Sequence, residues 1–288
     1  MTKHFIEYLL TAALAVMTAQ SCVSKIDPIF DESSANRVEA LAERLNETLT
    51  GAPNGWLLEY YPSSGQYYGG FNVFLSFSEG NKVKVGSEVA GKGKTATSTY
   101  SIYQSAGCVL TLDTYNEVMH YFADPETTGG QGAGFGFEGD FEFNVLDLQD
   151  EKITLKGRKT GSTMTMTPMP VSMSWDDYIV ALKEEESAIS KHTRIRYQTA
   201  DNKYDGRING RTLEIFSEVD GEQVTTSYPF IFNLMGVTFY KPLELGDERI
   251  DGLVYNPDMA DGGAFIPVND GAEGYFVPTY PTITDYLM

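Results

Sequence analysis

Six side chains near the middle of the sequence could do chemistry, and they form two groups. They are Asp113, Tyr115, Asn116 and His120 in the first group, and Asp140 and Glu142 in the second. Asp140 and Glu142 are two positions apart, so on a β-strand both carboxylates would point to the same face. Paired carboxylates suit glycoside hydrolysis or cation binding, and Asp113 with His120 would supply half of an acid–base system.

The same segments also have a purely structural interpretation, which we favour. The run Asp113-Thr114-Tyr115-Asn116 is typical of a turn or bulge, where Asp and Asn side chains bond to nearby backbone. His120 would then be a lone core histidine with its hydrogen bonds satisfied. Binding of a carbohydrate or peptide at these residues ranks second and catalysis third, so we favour a protein that is not an enzyme and leave catalysis open.

Other chemistries lack their sequence signatures. Residues 129–136 are glycine-rich, but neither a Lys-Ser/Thr pair nor a helix follows, as a phosphate-binding loop requires. His120, His192 and Cys108 show no zinc-ligand spacing, and the acidic residues between 247 and 261 lack the calcium-loop pattern. A serine nucleophile has no local signature either. We therefore expect no metal and no cofactor.

Tyrosines near predicted turns are better candidates for contact with a ligand. They are Tyr60, Tyr61, Tyr67, Tyr68, Tyr115 and Tyr121. Exposed tyrosine rings stack on the apolar faces of sugars or peptides at a low cost in conformational entropy. Ordinary packing within a β-sheet remains the alternative for any single tyrosine.

The composition indicates a folded, acidic, β-rich protein. Hydrophobic residues make up 42% of the 288 residues, which is enough for a sizeable core. The 18 Tyr, 16 Phe and 28 Gly favour strands and tight turns. The net charge of −19 would repel phosphate backbones, so nucleic acid is excluded as a partner.

The first 22 residues look like an export signal. Lys3 is followed by an apolar run from Leu9 to Met17, which is too short to span a membrane comfortably. The run ends in Ala19-Gln20-Ser21-Cys22, which resembles the bacterial lipoprotein signal, where the cysteine is acylated. A plain secretory signal and a short membrane anchor are the alternatives. We expect a signal peptide over residues 1–21, lipid on Cys22, a tether over 22–32, and an unpaired, buried Cys108.

Periodicity beyond the tether predicts two amphipathic helices among many strands. Apolar residues recur every three or four positions from Val38 to Leu49 and again between Trp175 and Lys191. Alternating apolar residues predict antiparallel strands in between, including a hairpin of 140–148 and 152–158, and more strands after Thr193. The expected fold class is α+β, predominantly antiparallel β, with a β-rich body and two amphipathic helices.

The order helix, strands, helix, strands suggests internal duplication. One lobe would comprise residues 33–170 with the N-terminal helix, and the other residues 171–288 with the helix 175–191. A single α+β domain is the competing account. We favour two similar β-rich lobes with a boundary near Pro168 and Pro170, where the strand pattern breaks.

Several short motifs occur in an order that resembles one known family. They are Asn54-Gly55-Trp56, Gly69-Gly70-Phe71-Asn72, Ser87-Glu88, Asp113-Thr114-Tyr115-Asn116 with His120-Tyr121-Phe122, and Gly139-Asp140-Phe141-Glu142-Phe143 followed by Leu155-Lys156-Gly157. The set is similar to a Bacteroidetes lipoprotein family of unknown function, family 4302, over most of residues 26–170 and more patchily after Trp175. The resemblance implies a lipid-anchored protein of the outer membrane, on its periplasmic or surface face, often encoded beside SusC/SusD-type uptake systems. The resemblance assigns no catalytic residue to this chain.

Three hypotheses follow for the function. The first is a lipid-anchored, non-enzymatic protein that binds a glycan, a peptide or a partner for an outer-membrane uptake system. The second is a hydrolase of glycans using Asp140, Glu142 and His120, whose carboxylates would have to face a common cleft. The third is a structural subunit of an outer-membrane complex, with a large exposed apolar patch and no concave pocket.

Overall fold

A computed structural model describes residues 34–127, 134–199, 202–219, 221–260, 262–269 and 272–279. The chain divides into two compact units, residues 1–37 and 38–288. Of the first unit only residues 34–37 are described, and they begin helix α1 (Ser34–Gly51). The predicted signal peptide, Cys22 and the tether lie outside the described residues. Among the described helices, none is both long and apolar enough to cross a membrane.

The second unit contains two closed, antiparallel barrels of eight strands each. The first comprises β1 (Trp56–Tyr60), β2 (Phe71–Ser78), β3 (Lys82–Ser87), β4 (Thr95–Gln104), β5 (Cys108–Leu112), β6 (Glu142–Gln149), β7 (Lys152–Gly157) and β8 (Thr163–Pro168). Each strand pairs with the next in sequence. Pairing of β1 with β8, from Trp56 opposite Pro168 to Glu59 opposite Thr165, closes the barrel.

The second barrel repeats this plan. Its strands are β9 (Arg194–Gln198), β10 (Lys203–Asn209), β11 (Thr212–Val219), β12 (Glu222–Asn233), β13 (Gly236–Leu245), β14 (Glu248–Asn256), β15 (Ala264–Pro267) and β16 (Tyr275–Pro278). The barrel closes where β16 pairs with β9, from Tyr275 opposite Gln198 to Pro278 opposite Ile195. The predicted fold of two similar, predominantly antiparallel β lobes is therefore confirmed.

A helix precedes each barrel and packs into its core. Leu45 and Leu49 of α1 are fully buried among the side chains of the first barrel, and Trp56 Nε1 donates to Leu49 O at 3.0 Å. Helix α3 (Trp175–Ile189) buries Leu182 and Ile189 in the second core. Eight strands enclose an interior that side chains just fill, so each lobe has its own packed core.

Strand β2 is buried on both faces, which explains its nearly continuous apolar sequence. Phe71, Val73 and Leu75 belong to the core of the first barrel, whereas Phe74 belongs to the core of the second. The Phe74 ring stacks on Trp175 of α3, with the ring centroids 5.5 Å apart. The outer face of β2 is therefore part of the contact between the two lobes.

Two details differ from the sequence-based expectations. Strand β6 begins at Glu142 instead of residue 140, because the Asp140 side chain is held in the turn after β7. The segment predicted as a turn leads into a one-turn helix, α2 (Glu117–His120), which Asn116 caps. Cys108 is buried in β5, as expected, and forms no disulfide with a described residue.

Candidate functional site

Asp140 closes a turn. Its Oδ1 accepts a hydrogen bond from Lys159 N at 2.6 Å, and its Oδ2 accepts from Thr160 N at 3.1 Å and from Thr160 Oγ1 at 2.5 Å. The Tyr60 hydroxyl accepts from Asp140 N at 2.7 Å and donates to Asp140 O at 2.9 Å. Burial and the nearby Asp140 carboxylate raise the pKa of Tyr60 well above its usual range, so this hydroxyl stays neutral. Asp140 is 2% exposed, and its hydrogen bonds give it a structural role.

Glu142 lies in a different environment. Its Oε2 is 3.9 Å from Arg158 Nε, and 41% of its side chain is exposed. The expectation that Asp140 and Glu142 point to one face of a strand is wrong, because Asp140 precedes β6 and is buried in the neighbouring turn. Because the Asp140 carboxylate is buried and already accepts three hydrogen bonds, the two residues do not offer the pair of free carboxylates that a glycoside hydrolase needs.

The first group of candidate residues surrounds α2. Asn116 Oδ1 accepts from Val118 N and Met119 N, both at 3.2 Å, and its Nδ2 donates to Ser98 Oγ at 3.1 Å. His120 Nδ1 lies 3.2 Å from Asn116 N, and the His120 ring stacks on Phe141. These contacts fit the structural interpretation, since an Asn cap and a packed histidine stabilise a short helix.

The remaining two candidates of this group are near the surface. Asp113 Oδ1 accepts from Ser101 Oγ at 2.7 Å across the β4–β5 pair. Tyr115 is 70% exposed, and its ring lies 5.0 Å from the His120 ring. Tyr115 and Asp113 are therefore the members of the group that are exposed and accessible to a ligand.

The larger concave site lies between the two barrels. This inter-barrel cleft has a volume of about 1130 Å³, slightly above the usual range of small-molecule sites. Its walls include Tyr67, Tyr68, Phe71 and Phe137 from the first lobe, and Arg211, Tyr228, Pro229, Tyr240, Lys241 and Glu244 from the second. Neither lobe forms the cleft alone, so it depends on how the barrels contact each other.

Tyrosine rings are present on both walls of the cleft. Tyr67 is 69% exposed, and its ring covers Gly65, where an added Cβ would come within 2.2 Å of the ring. On the opposite wall, Tyr240 packs its ring against Tyr61 at 4.7 Å, and its hydroxyl accepts from Thr163 N at 2.9 Å. Rings held in this way offer preformed stacking surfaces, and Lys241 and Glu244 add charged hydrogen-bonding groups.

A buried ion pair fixes the floor of the cleft. Arg211 Nη1 donates to Glu88 Oε1 at 2.9 Å and to Gly70 O at 2.6 Å, and Arg211 Nη2 donates to Glu88 Oε2 at 3.2 Å. The guanidinium also lies 4.5 Å from the centroid of the Phe71 ring and 5.0 Å from that of Phe232. Burial raises the pKa of Glu88, and the attraction of Arg211 opposes this shift.

Backbone contacts surround this ion pair. Gly70 N donates to Phe230 O at 2.9 Å, and Asn72 Nδ2 donates to Phe232 O at 2.9 Å. Gly69 has φ of +68°, and a Cβ there would lie 2.7 Å from both Arg211 O and Phe230 O. Only glycine allows the two backbones to approach this closely.

A second contact between the lobes uses Asn54. Its Nδ2 donates to Pro170 O at 2.7 Å and to Met173 O at 2.8 Å, while Asn54 O accepts from Trp175 Nε1 at 2.9 Å. Each of the motifs Asn54-Gly55-Trp56, Gly69-Gly70-Phe71-Asn72 and Ser87-Glu88 thus contributes at least one residue to the junction between the lobes. Sequence reasoning missed this junction. The available signal was an isolated acid, Glu88, directly after the strand β3, whose last three residues are buried.

Within the described residues, no group of three or more His, Cys, Asp or Glu side chains is placed to hold a metal ion. The inter-barrel cleft combines aromatic surfaces with hydrogen-bonding groups, which is the chemistry of a binding site for a glycan or peptide segment.

Comparisons with known proteins give one family. Neither the curated proteins nor the solved structures include a significant match to this chain. The family described as "Domain of unknown function (DUF4302)" matches residues 26–257, which include all of the first barrel and the second as far as β14. The match extends well into the second lobe, where the motifs were patchy. The chain therefore belongs to the DUF4302 family.

Proposed function

We propose that this chain is a non-enzymatic binding protein that takes a glycan or peptide segment into the inter-barrel cleft. The observation that carries the proposal is the cleft itself, built from both barrels and lined by tyrosine rings with polar groups at its edges. A rigid junction that includes Arg211 and Glu88 favours binding, since a preformed site does not have to be ordered by its ligand.

The proposal includes an anchor in the cell envelope. A lipid on Cys22 and a tether over 22–32 would hold the barrels at the outer membrane, on its periplasmic or surface face. The family resemblance adds a Bacteroidetes origin and SusC/SusD-type uptake proteins as partners. In this setting the chain would hold nutrient fragments close to an importer.

The alternatives have less support. A hydrolase based on Asp140, Glu142 and His120 would need two free carboxylates facing one cleft, whereas Asp140 is buried in its turn. A purely structural subunit was expected to lack a concave pocket, and the inter-barrel cleft is a large one.

The cleft proposal can be tested by calorimetry on the full-length chain in detergent. The probes are a panel of neutral oligosaccharides and a panel of uncharged synthetic peptides. Tyr67→Ala should weaken binding of any panel ligand by roughly tenfold or more, as truncation of an aromatic anchor commonly does. Tyr115→Ala is the matched control, because Tyr115 is as exposed as Tyr67 but is not part of the cleft.

Two outcomes would overturn the cleft proposal. One is that no compound of either panel binds. The other is that Tyr115→Ala weakens binding while Tyr67→Ala does not, which would move the site to the residues around α2. The anchor is tested separately by Cys22→Ala and cell fractionation. The variant should leave the membrane fraction, and unchanged membrane retention would contradict lipid attachment at Cys22.

A further inference from the structure

The outer face of the second barrel carries a second concave region, a basic groove with a volume of about 1030 Å³. Its charged lining residues are the cations Arg194, Arg196, Lys203 and Arg207 and the anions Asp205 and Glu218. Across the whole chain, 40 acidic residues outnumber 21 basic ones. In the groove, by contrast, the four basic residues outnumber the two acidic ones. The groove is therefore a place where this acidic protein could hold an anion.

The pairing of the strands places the cations side by side. Arg194 of β9 lies directly opposite Arg207 of β10, and Arg196 lies opposite Asp205. Ile195 alternates with these residues and is buried in the barrel core, so the arginines point outward. Opposite side chains of an antiparallel pair have Cβ atoms about 5 Å apart.

The arginines of the groove differ in how far their charge is neutralised. Arg196 Nε donates to Asp205 Oδ1 at 2.6 Å, and Arg207 Nε donates to Glu214 Oε2 at 2.8 Å. Arg194 and Lys203 form no ion pair with any residue that the structure describes. Because Glu214 already pairs with Arg207, Arg194 is the arginine of this opposed pair whose charge remains available to an anion.

We infer that this groove binds the carboxylate groups of an acidic glycan. The planar guanidinium fork of Arg194 matches a carboxylate, with which arginine forms two parallel hydrogen bonds. The half-buried ring of Phe216, opposite Asp205 on β11, adds apolar surface to the groove beside the Arg207 guanidinium, which lies 6.0 Å from the ring centroid. The net charge of −19 disfavours a densely charged polyanion but allows carboxylates spaced one per sugar.

This site is distinct from the inter-barrel cleft, since the two share no lining residue. They are neighbours, because Arg207 of the groove donates to Glu214, which lines the cleft. The test is calorimetry on the full-length chain in detergent with oligogalacturonate at low and high salt. Parallel arms use a neutral malto-oligosaccharide, an oligo-glutamate peptide and inorganic phosphate. We expect oligogalacturonate to bind more tightly than each of the other three, with an affinity that falls at high salt because part of the attraction is screened.

The key variant is Arg194→Gln, which removes an exposed cation without breaking an ion pair among the described residues. Binding of oligogalacturonate should become roughly tenfold weaker or more, as expected for loss of a charge-assisted hydrogen bond. Arg44→Gln makes the same change of charge at an exposed site on α1 and should leave binding unchanged, as should Tyr67→Ala in the cleft.

Four outcomes would overturn the inference. They are no binding of oligogalacturonate, binding of the neutral sugar that Arg194→Gln weakens to the same extent, tighter binding of oligo-glutamate or phosphate, and equal effects of Arg194→Gln and Arg44→Gln. The tighter binding of oligo-glutamate would assign the groove to an acidic protein segment instead. Failure here would leave the cleft proposal intact, because that proposal rests on neutral probes and on Tyr67.

Discussion

The guanidinium of Arg211, in the second barrel, lies 2.9 Å from the Glu88 carboxylate of the first. The Glu88 side chain is 3% exposed and that of Arg211 12% exposed, so water screens this pair very little. Arg211 also donates to Gly70 O and lies between the Phe71 and Phe232 rings. This one side chain therefore links the two lobes and forms part of the wall of the cleft.

Removing one partner of this pair should destabilise the protein strongly. Arg211→Met leaves the Glu88 carboxylate buried without a counter-ion, at a cost of about 3–5 kcal/mol. Equilibrium unfolding in urea measures the loss. Arg44→Met is the control, because the Arg44–Asp150 pair is exposed and worth about 0–1 kcal/mol. A loss below about 1 kcal/mol for Arg211→Met would show that the pair does not hold the lobes together.

The carboxylate of Asp140 should matter for stability and that of Glu142 should not. In Asp140→Asn one side-chain oxygen becomes an amide donor facing backbone donors, which should cost about 1–3 kcal/mol. Glu142→Gln should change the free energy of unfolding by about 0.5 kcal/mol or less, since its contact with Arg158 is long and exposed. Thermal and urea unfolding of both variants distinguish the cases. Equal stability of Asp140→Asn and the wild type would reopen a chemical role for this residue.

Close approach of the lobes at Gly69 should make this position intolerant of a side chain. Gly69→Ala combines a positive φ with a clash against Arg211 O and Phe230 O. Gly80 has φ of +72° and nothing within 4 Å of an added Cβ, so Gly80→Ala isolates the backbone strain. We expect Gly69→Ala to be less stable than Gly80→Ala by about 1–3 kcal/mol, the usual cost of overpacking. Equal unfolding midpoints in urea would contradict the close contact.

The sequence was sufficient to predict the fold class because its periodicities are local. Alternation of Met164 and Met166 with threonine in β8 and the spacing of Leu45 and Leu49 in α1 depend on neighbours in the chain, and both were recognised. Closure of each sheet into a barrel was not predicted, since it depends on pairing between distant strands such as β1 and β8. Local sequence propensity contains no information on which distant strands pair with each other.

The cleft was harder to predict than the fold. Tyr67 and Tyr68 were among the tyrosines expected to contact a ligand, and both line the cleft. Their partners Tyr228 and Tyr240 lie more than 150 residues away in the sequence, and only the docking of two barrels brings them together. Asp140 was predicted as a candidate for binding, whereas its carboxylate stabilises a turn. Its partners in that turn, Lys159 and Thr160, lie about 20 residues further along the chain and could not be recognised from the sequence.

Stability should depend on pH through His192. Its Nε2 lies 2.9 Å from the Tyr255 hydroxyl, and its ring packs edge-on against Phe265. Burial and then the neighbouring Lys191 lower the pKa of His192 below its usual 6.5. The unfolded chain therefore takes up a proton before the folded state does. The stabilising contribution of His192 to the free energy of unfolding is complete above the pKa that its imidazole has in the unfolded chain. It is lost as the pH falls through the lower pKa that the imidazole has in the folded protein.

Comparison of the wild type with His192→Gln tests this dependence. The free energy of unfolding in urea, measured at several values from about pH 8 to about pH 5, should show the wild type losing its advantage as the pH falls. A difference between the two proteins that stays constant, or that grows on acidification, would contradict the assigned direction of the pKa shift.

The central claim is that a ligand binds between the barrels and contacts both of them. Hydrogen–deuterium exchange on the full-length chain, with and without the tightest neutral ligand of the two panels, tests this claim most directly. The ligand should slow exchange of backbone amides in residues 65–71 of the first lobe and in residues 226–228 and 240–244 of the second. Protection confined to one lobe, or to residues 113–120 around α2, would contradict the claim.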